Sequence, residues 1–235
     1  IYTLSLHDAL PIFYTSNLSD INSKFRAGIV HRLDKDTSGI VIFAKNEYIQ
    51  NCLVYQMKSK EFKKEYIAVC DGIFVKKQGT INLPIARKEG SIIERCVHPD
   101  GETAITHYEV LKEIDNNISV VKCILETGRT HQIRVHLSAI RHPILGDTLY
   151  GNVNSTFSNI QRQLLHAYKV EFIHPISKQH SCYIAPIPDD IKNFYVIFIC
   201  LLFNGLFGNL LCYSSLVISE EIVSSKRRSL FSSVI

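Results

Sequence analysis

Asp115, Asn116 and Asn117 separate two runs of β-type residues, TAITHYEVLKEI (103–114) and ISVVKCILE (118–126), and no other stretch restricts the fold as strongly. Aspartate and asparagine are turn formers, and β-branched residues enrich both flanks, so the chain is expected to double back there as an antiparallel hairpin. Three more stretches read as strands: KEYIAVCDG (64–72), which stops at a turn glycine, LLHAYKVEFIHP (164–175) and HSCYIAP (180–186). GIVIFAK (39–45) is a fourth β-rich run. Helical signals are fewer. NEYIQNCLVYQMKSKEF (46–62) begins at Asn46, a good cap, and Tyr48, Cys52 and Tyr55 recur at helical spacing. TGRTHQIRVHLSAIRHP (127–143) offers Thr130 as a cap and aligns Ile133, Leu137 and Ile140 before Pro143 ends it. Its first half also alternates as a strand would, but length and the cap favour a helix, with Arg134 in the first turn. Strands without regular βαβ units predict an α+β fold, a mostly antiparallel mixed sheet flanked by helices and loops.

With 46% hydrophobic and 20% charged residues, the chain reads as globular rather than disordered. A formal charge of +4 permits an anionic partner without requiring one. Seven widely spaced cysteines with no C-x-x-C pair fit reduced thiols of a cytoplasmic protein better than a disulfide framework. The two ends differ from this body. Residues 1–12 contain YTLSLHDALPI, which resembles a translated sequencing adapter, so His7 and Asp8 are left out of the site. From Phe194 to Ser219 no charged residue occurs. By length alone this run in the 194–235 tail is a membrane-span candidate, yet Asn204 and Asn209 interrupt it. A non-native tail, a membrane or docking segment and a buried helix all remain open readings, and the first is favoured.

The stretch HRLDKDTSG (31–39) carries the chemistry. Its paired aspartates suit a calcium loop, a D-x-D-x-T phosphatase or a single working carboxylate in a turn. A calcium loop opened by Asp34 requires an acid at its twelfth position, and that residue is Lys45. A phosphatase nucleophile requires an apolar strand just before it and an acidic pair for magnesium; only GIV precedes HRLD, and Asp189–Asp190 follow a proline-bounded turn. A lone carboxylate in a turn fits best, although Asp-Thr-Ser-Gly is also ordinary turn chemistry.

GIVHRLDKDTSGIVIFAK, KKEYIAVCDG, ETAITHYEVL, ETGRTHQIRVHLSAIRHPILGDTLYG and RQLLHAYKVEFIHPIS occur in this order. Together they resemble the RNA pseudouridine synthases of the ribosomal large-subunit type. The resemblance implies that 13–193 is the catalytic domain of such an enzyme, truncated at its N-terminal side, because the family's earlier strands and the S4-type domain many members carry are not matched. It implies Asp34 as the catalytic residue, Tyr66 beside the uracil and Arg134 as the ion-pair partner of Asp34. Arg32 and Arg129 are the implied RNA contacts, with His31, His131 and Gln132 in support. The implied partner is RNA, ribosomal RNA first. No metal or cofactor is called for, because the isomerisation has no redox step. A cytoplasmic monomer without membrane association is the accompanying expectation. Arg141 stands where the family usually has glycine. Two other readings stay open: a catalytically idle RNA-binding remnant of this fold and the metal-dependent phosphatase.

Overall fold

The computed structural model describes residues 28–115, 117–151 and 160–194. The chain divides between Ile191 and Lys192, and the fold reported below is that of the first unit. Segment 1–12 lies outside the described residues, as does the apolar tail beyond Phe194. Among the described residues no helix is long and apolar enough to cross a membrane.

A seven-stranded sheet organises the unit. Its strands are β1 (Ser38–Gly39), β2 (Lys63–Asp71), β3 (Gln78–Asn82), β6 (Ile105–Ile114), β7 (Ile118–Leu125), β8 (Leu165–Ile173) and β9 (His180–Ile184). Between β3 and β6 a separate ribbon is formed by β4 (Ile85–Arg87) and β5 (Arg95–Val97). The main order is β1-β8-β2-β7-β6-β3, with β9 also paired to β8. All pairings are antiparallel except β1 with β8. The expected hairpin is β6–β7, closed by Ile114 opposite Ile118, and Asp115 takes a left-handed φ of 49° in the turn. Tyr66 to Cys70 in β2 are buried without a break, as befits a central strand covered on both faces.

Helix α1 (Glu47–Lys58) starts as expected, with Asn46 Oδ1 accepting the Ile49 amide at 2.9 Å. Its buried face is not the expected one. Tyr48 and Tyr55 are 60% and 68% exposed, whereas Gln50, Leu53 and Gln56 are buried. The two glutamines point inward because their amides satisfy backbone groups that would otherwise be orphaned. Gln50 donates to the Ile29 carbonyl, and Gln56 both donates to and accepts from the Ile173 main chain. Hydrophobic spacing cannot register such a face. The β-rich run 39–45 likewise gives only Gly39 of β1 and an isolated bridge from Phe43 to Ile29. Its amides are spent on different partners: Ile40 on the Ala167 carbonyl, Ile42 on the His31 ring and Ala44 on the Gly28 carbonyl.

Helix α2 (Gln132–Ala139) removes the strand alternative, and Arg134 does lie in its first turn. Thr130 is not its cap. The cap residue is His131, held at φ 57° with no side-chain cap bond, because the loop before the helix is tied down by the Gln132 amide instead. At the far end Arg141 donates to the Ser138 carbonyl and His142 to the Leu137 carbonyl, both at 2.9 Å. This double bond pattern is a Schellman stop, and Arg141 occupies its left-handed position at φ 65°. A β-carbon is unfavourable there. We therefore expect Arg141→Gly to raise the unfolding free energy by about 0.5–1 kcal/mol, net of the flexibility glycine adds to the unfolded chain. Urea titration of both proteins measures it, and a less stable variant would show that the Arg141 side chain supplies more than the strain removes.

Candidate active site

Asp34 sits in a turn closed by the Thr37 amide on its own carbonyl at 3.1 Å. Asp36, at φ 66°, is the left-handed residue of that turn, a conformation aspartate tolerates. Three side chains, two just before β8 and one within it, staple the turn to the sheet. Gln163, 4% exposed, donates to the Lys35 carbonyl and to Thr37 Oγ1; Arg162 donates to the Asp36 carbonyl; Ser38 Oγ and His166 Nδ1 are 2.9 Å apart. Gly39 ends the turn at φ 117°, where a β-carbon would lie 2.2 Å from the Ala167 carbonyl oxygen, so only glycine lets β1 lie against β8.

The structure places Arg134 beside Asp34, and Tyr66 on the same cavity as Asp34. Arg134 Nη1 is 3.6 Å from Asp34 Oδ2, and the Asp34 side chain keeps 16% of its surface open. Arg134 is thus paired with Asp34 as expected, but it has a second and closer carboxylate, Asp147. Arg134 Nε and Nη2 donate to the two Asp147 oxygens at 2.7 and 2.8 Å, in the bidentate geometry guanidinium and carboxylate prefer. Asp147 is fully buried and its Oδ1 also accepts the amides of Leu149 and Tyr150. Burial opposes the charge on Arg134, but the Asp147 hydrogen bonds, together with the charges of Asp147 and Asp34, outweigh it and hold the guanidinium above its usual range. The Tyr150 ring stacks on it, 5.1 Å from the ring centre. Sequence reasoning passed over Asp147 and Tyr150, although both stand in a quoted motif. The available signal was an arginine among Ile133, Val135 and Leu137 on a helix with no exposed face in its first turns. Such a buried charge requires a carboxylate.

Tyr66, 6% exposed on β2, borders the same cavity as Asp34. Burial, and after it the charge of Asp34, push its phenol well above the ordinary range, so it stays protonated. The cavity measures about 1060 Å³ and opens between the HRLD segment, the end of α1, β2 and the 126–130 loop. Arg32, exposed at its edge, has no ion-pair partner among the described residues. Arg129 is less free, since it already pairs with Glu102 and donates to the Thr103 carbonyl at 3.1 Å.

The supporting residues bond both backbone and side-chain groups. Gln132 accepts from Thr127 Oγ1 and the Arg129 amide and donates to the Ile105 carbonyl and Thr106 Oγ1, which locks the 127–131 loop to β6. His131 Nδ1 lies 2.7 Å from the Tyr150 hydroxyl, and burial lowers its pKa against the opposing pull of Asp34. His31 accepts the Ile42 amide through Nε2, leaving Nδ1 buried without a partner among the described residues. Burial, reinforced by Lys64, brings its pKa down to about 3. A histidine that is neutral when folded but protonates near 6.5 when unfolded makes the unfolded state the better proton acceptor. Stability from this group is then complete above pH 6.5 and falls by up to about 1.4 kcal/mol per pH unit as acid is added, until pH 3. We expect His31→Gln to flatten the stability–pH slope between pH 6 and 4.5 by up to about that amount. Identical slopes would show that His31 is protonated in the folded state as well.

Among the described residues no group of three histidine, cysteine or acidic side chains gathers to hold a metal ion. Asp190, which the phosphatase reading required, is paired with Arg162.

Comparison with known proteins agrees with this geometry. The chain is 45% identical over 165 residues to the uncharacterized RNA pseudouridine synthase YhcT of Bacillus subtilis, covering 70% of this chain and 54% of that protein. It is 43% identical over 176 residues to ribosomal large subunit pseudouridine synthase D of Haemophilus influenzae, again covering 70% and 54%. The chain thus spans about half the length of the curated relatives it matches. In fold it is similar to human RNA pseudouridylate synthase domain containing 1, with a TM-score of 0.63 at 24% identity, over 79% of this chain and 77% of that one. The family model described as RNA pseudouridylate synthase matches residues 4–139, a range that takes in Asp34, Tyr66 and Arg134, and the chain belongs to that family.

Proposed function

We propose that this chain carries the catalytic domain of an RNA pseudouridine synthase, covering 13–193, that isomerises uridine within structured RNA, with Asp34 as the catalytic carboxylate. The observation that carries the reading is that Asp34 and Tyr66 line one large cavity, with the buried Arg134–Asp147 pair behind Asp34. The reaction breaks the N1–C1′ bond, turns the uracil and forms a C5–C1′ bond; the proton leaves C5 and N1 ends protonated, so atoms and electrons balance without a co-reactant. Asp34 is the group able to attack the sugar or the base, or to assist elimination at the sugar. Tyr66, apolar along its ring, stacks on the uracil; with its phenol protonated it can move the C5 proton only as a relay, passing its own proton on as it takes that one up. The target nucleotide must leave its helix to enter the cavity, and Arg32 at the edge holds the displaced strand.

Ribosomal RNA is the substrate we favour, because relatives named for the ribosomal large subunit match at 40–43% identity. The setting is cytoplasmic and the active form a monomer without cofactor. The test uses an unmodified in vitro transcript of bacterial large-subunit ribosomal RNA incubated with the 235-residue chain and a chelator, followed by nucleoside analysis. Pseudouridine is expected to appear. RNA bound but never isomerised would make the chain an idle binding remnant, and loss of turnover on chelation would favour metal-dependent chemistry.

A further inference from the structure

Lys64 borders the cavity two residues before Tyr66 on β2. Its ammonium reaches the loop that precedes α2, since a β-carbon on residue 128 would lie 3.4 Å from Lys64 Nζ. The nearby acids are engaged elsewhere. Glu65 pairs with Lys169, Glu126 with Lys60 and His107, and Asp34 with Arg134. Among the described residues no carboxylate forms an ion pair with Lys64, while burial lowers its pKa. His31 across from it is neutral, so it neither repels nor balances the charge. A poorly solvated cation without a counter-ion is unfavourable, and a fold keeps one where an anion arrives from outside.

We propose that Lys64 is the internal anion contact of the cavity and receives the backbone phosphate next to the extruded uridine. RNA carries its charge only on phosphates, and an ammonium is a compact point charge suited to one. Lys64 then fixes how deep the nucleotide enters, placing its sugar at Asp34 and its base along Tyr66, whereas Arg32 and Arg129 meet the strand at the rim. Lys64 is in this sense a positioning residue, not a catalytic one. The inference rests on the RNA reading above.

The test is binding of a labelled RNA hairpin with a single loop uridine to the full chain, for wild type, Lys64→Met and Lys64→Arg, across a range of potassium chloride. Methionine retains the packing and removes the charge. We expect Lys64→Met to bind about tenfold more weakly at low salt, the loss of one charge-assisted hydrogen bond. Its log–log salt slope should be shallower by about 0.7–0.9, one released counter-ion. Lys64→Arg should keep the wild-type slope. A methylphosphonate replacing the phosphate on one side of the uridine should weaken wild type and leave Lys64→Met no weaker than before. An unchanged slope in Lys64→Met, or no coupling at either flanking linkage, overturns the proposal, as does a Lys64→Met protein that melts well below wild type, which would make the residue structural. None of these readouts depends on turnover, so a chain that binds as described but forms no pseudouridine upholds Lys64 and removes only the enzymatic reading.

Discussion

Asp34→Asn is expected to reduce pseudouridine formation by at least about a thousandfold, roughly 4 kcal/mol of transition-state stabilisation, while leaving the melting temperature close to wild type. The two halves of that expectation have separate physical origins. An amide occupies the same volume but has no negative charge with which to attack the sugar or base, and kcat falls accordingly. Stability is spared because the buried Arg134 keeps its bidentate partner Asp147, with Asp34 at 3.6 Å contributing the weaker contact. Asp36→Asn supplies the contrast. Asp36 holds a left-handed turn position that asparagine adopts readily, so this variant should stay near wild-type activity. Single-turnover assays on a large-subunit transcript measure both. An Asp34→Asn protein with activity comparable to wild type would remove Asp34 from the chemistry, and an inactive, stable Asp36→Asn protein would restore the two-aspartate reading of HRLDKDTSG.

What the sequence disclosed depended on how local the cause was. The β6–β7 hairpin was legible because turn chemistry at 115–117 and alternation on both sides are short-range signals, and the Asn46 cap was legible for the same reason. The ribbon β4–β5 escaped notice because 83–102 has no hydrophobic period, its place being set by contacts such as the Arg95 amide on the Tyr150 hydroxyl. Helical spacing singled out Tyr48, Cys52 and Tyr55 and said nothing of Gln50 and Gln56, each of which is buried to complete a backbone hydrogen bond far away in the chain. At the site, Asp34, Tyr66 and Arg134 were named from motifs; Asp34 and Arg134 lie 3.6 Å apart, and Tyr66 borders the same cavity as Asp34. The residues that hold them were not named, because Gln163 and Asp147 act through partners 126 to 128 and 13 residues distant, and a single aspartate after glycine looks like any turn.

Asp147→Ala is expected to destabilise the fold by about 3–5 kcal/mol, the largest stability loss of any single change at the site. The reason lies less in the attraction lost than in the charge left behind. Arg134 is 5% exposed and cannot lose its proton at any working pH, so without Asp147 the one carboxylate it retains is Asp34, at the longer distance. The Leu149 and Tyr150 amides lose their acceptor in the same step. Removing both charges separates these effects. Arg134→Met combined with Asp147→Leu fills the space with apolar groups and should recover much of the stability, giving a double variant more stable than Asp147→Ala alone, because a buried pair contributes little net once its desolvation is counted. Activity should not return with it, since the side of Asp34 now lined by Arg134 would carry no cation. Urea unfolding of the two single variants and the double variant closes the cycle. A loss below about 1 kcal/mol for Asp147→Ala would mean that Asp34 or solvent compensates Arg134 fully, and Asp147 would then no longer be the residue that holds the catalytic ion pair in place.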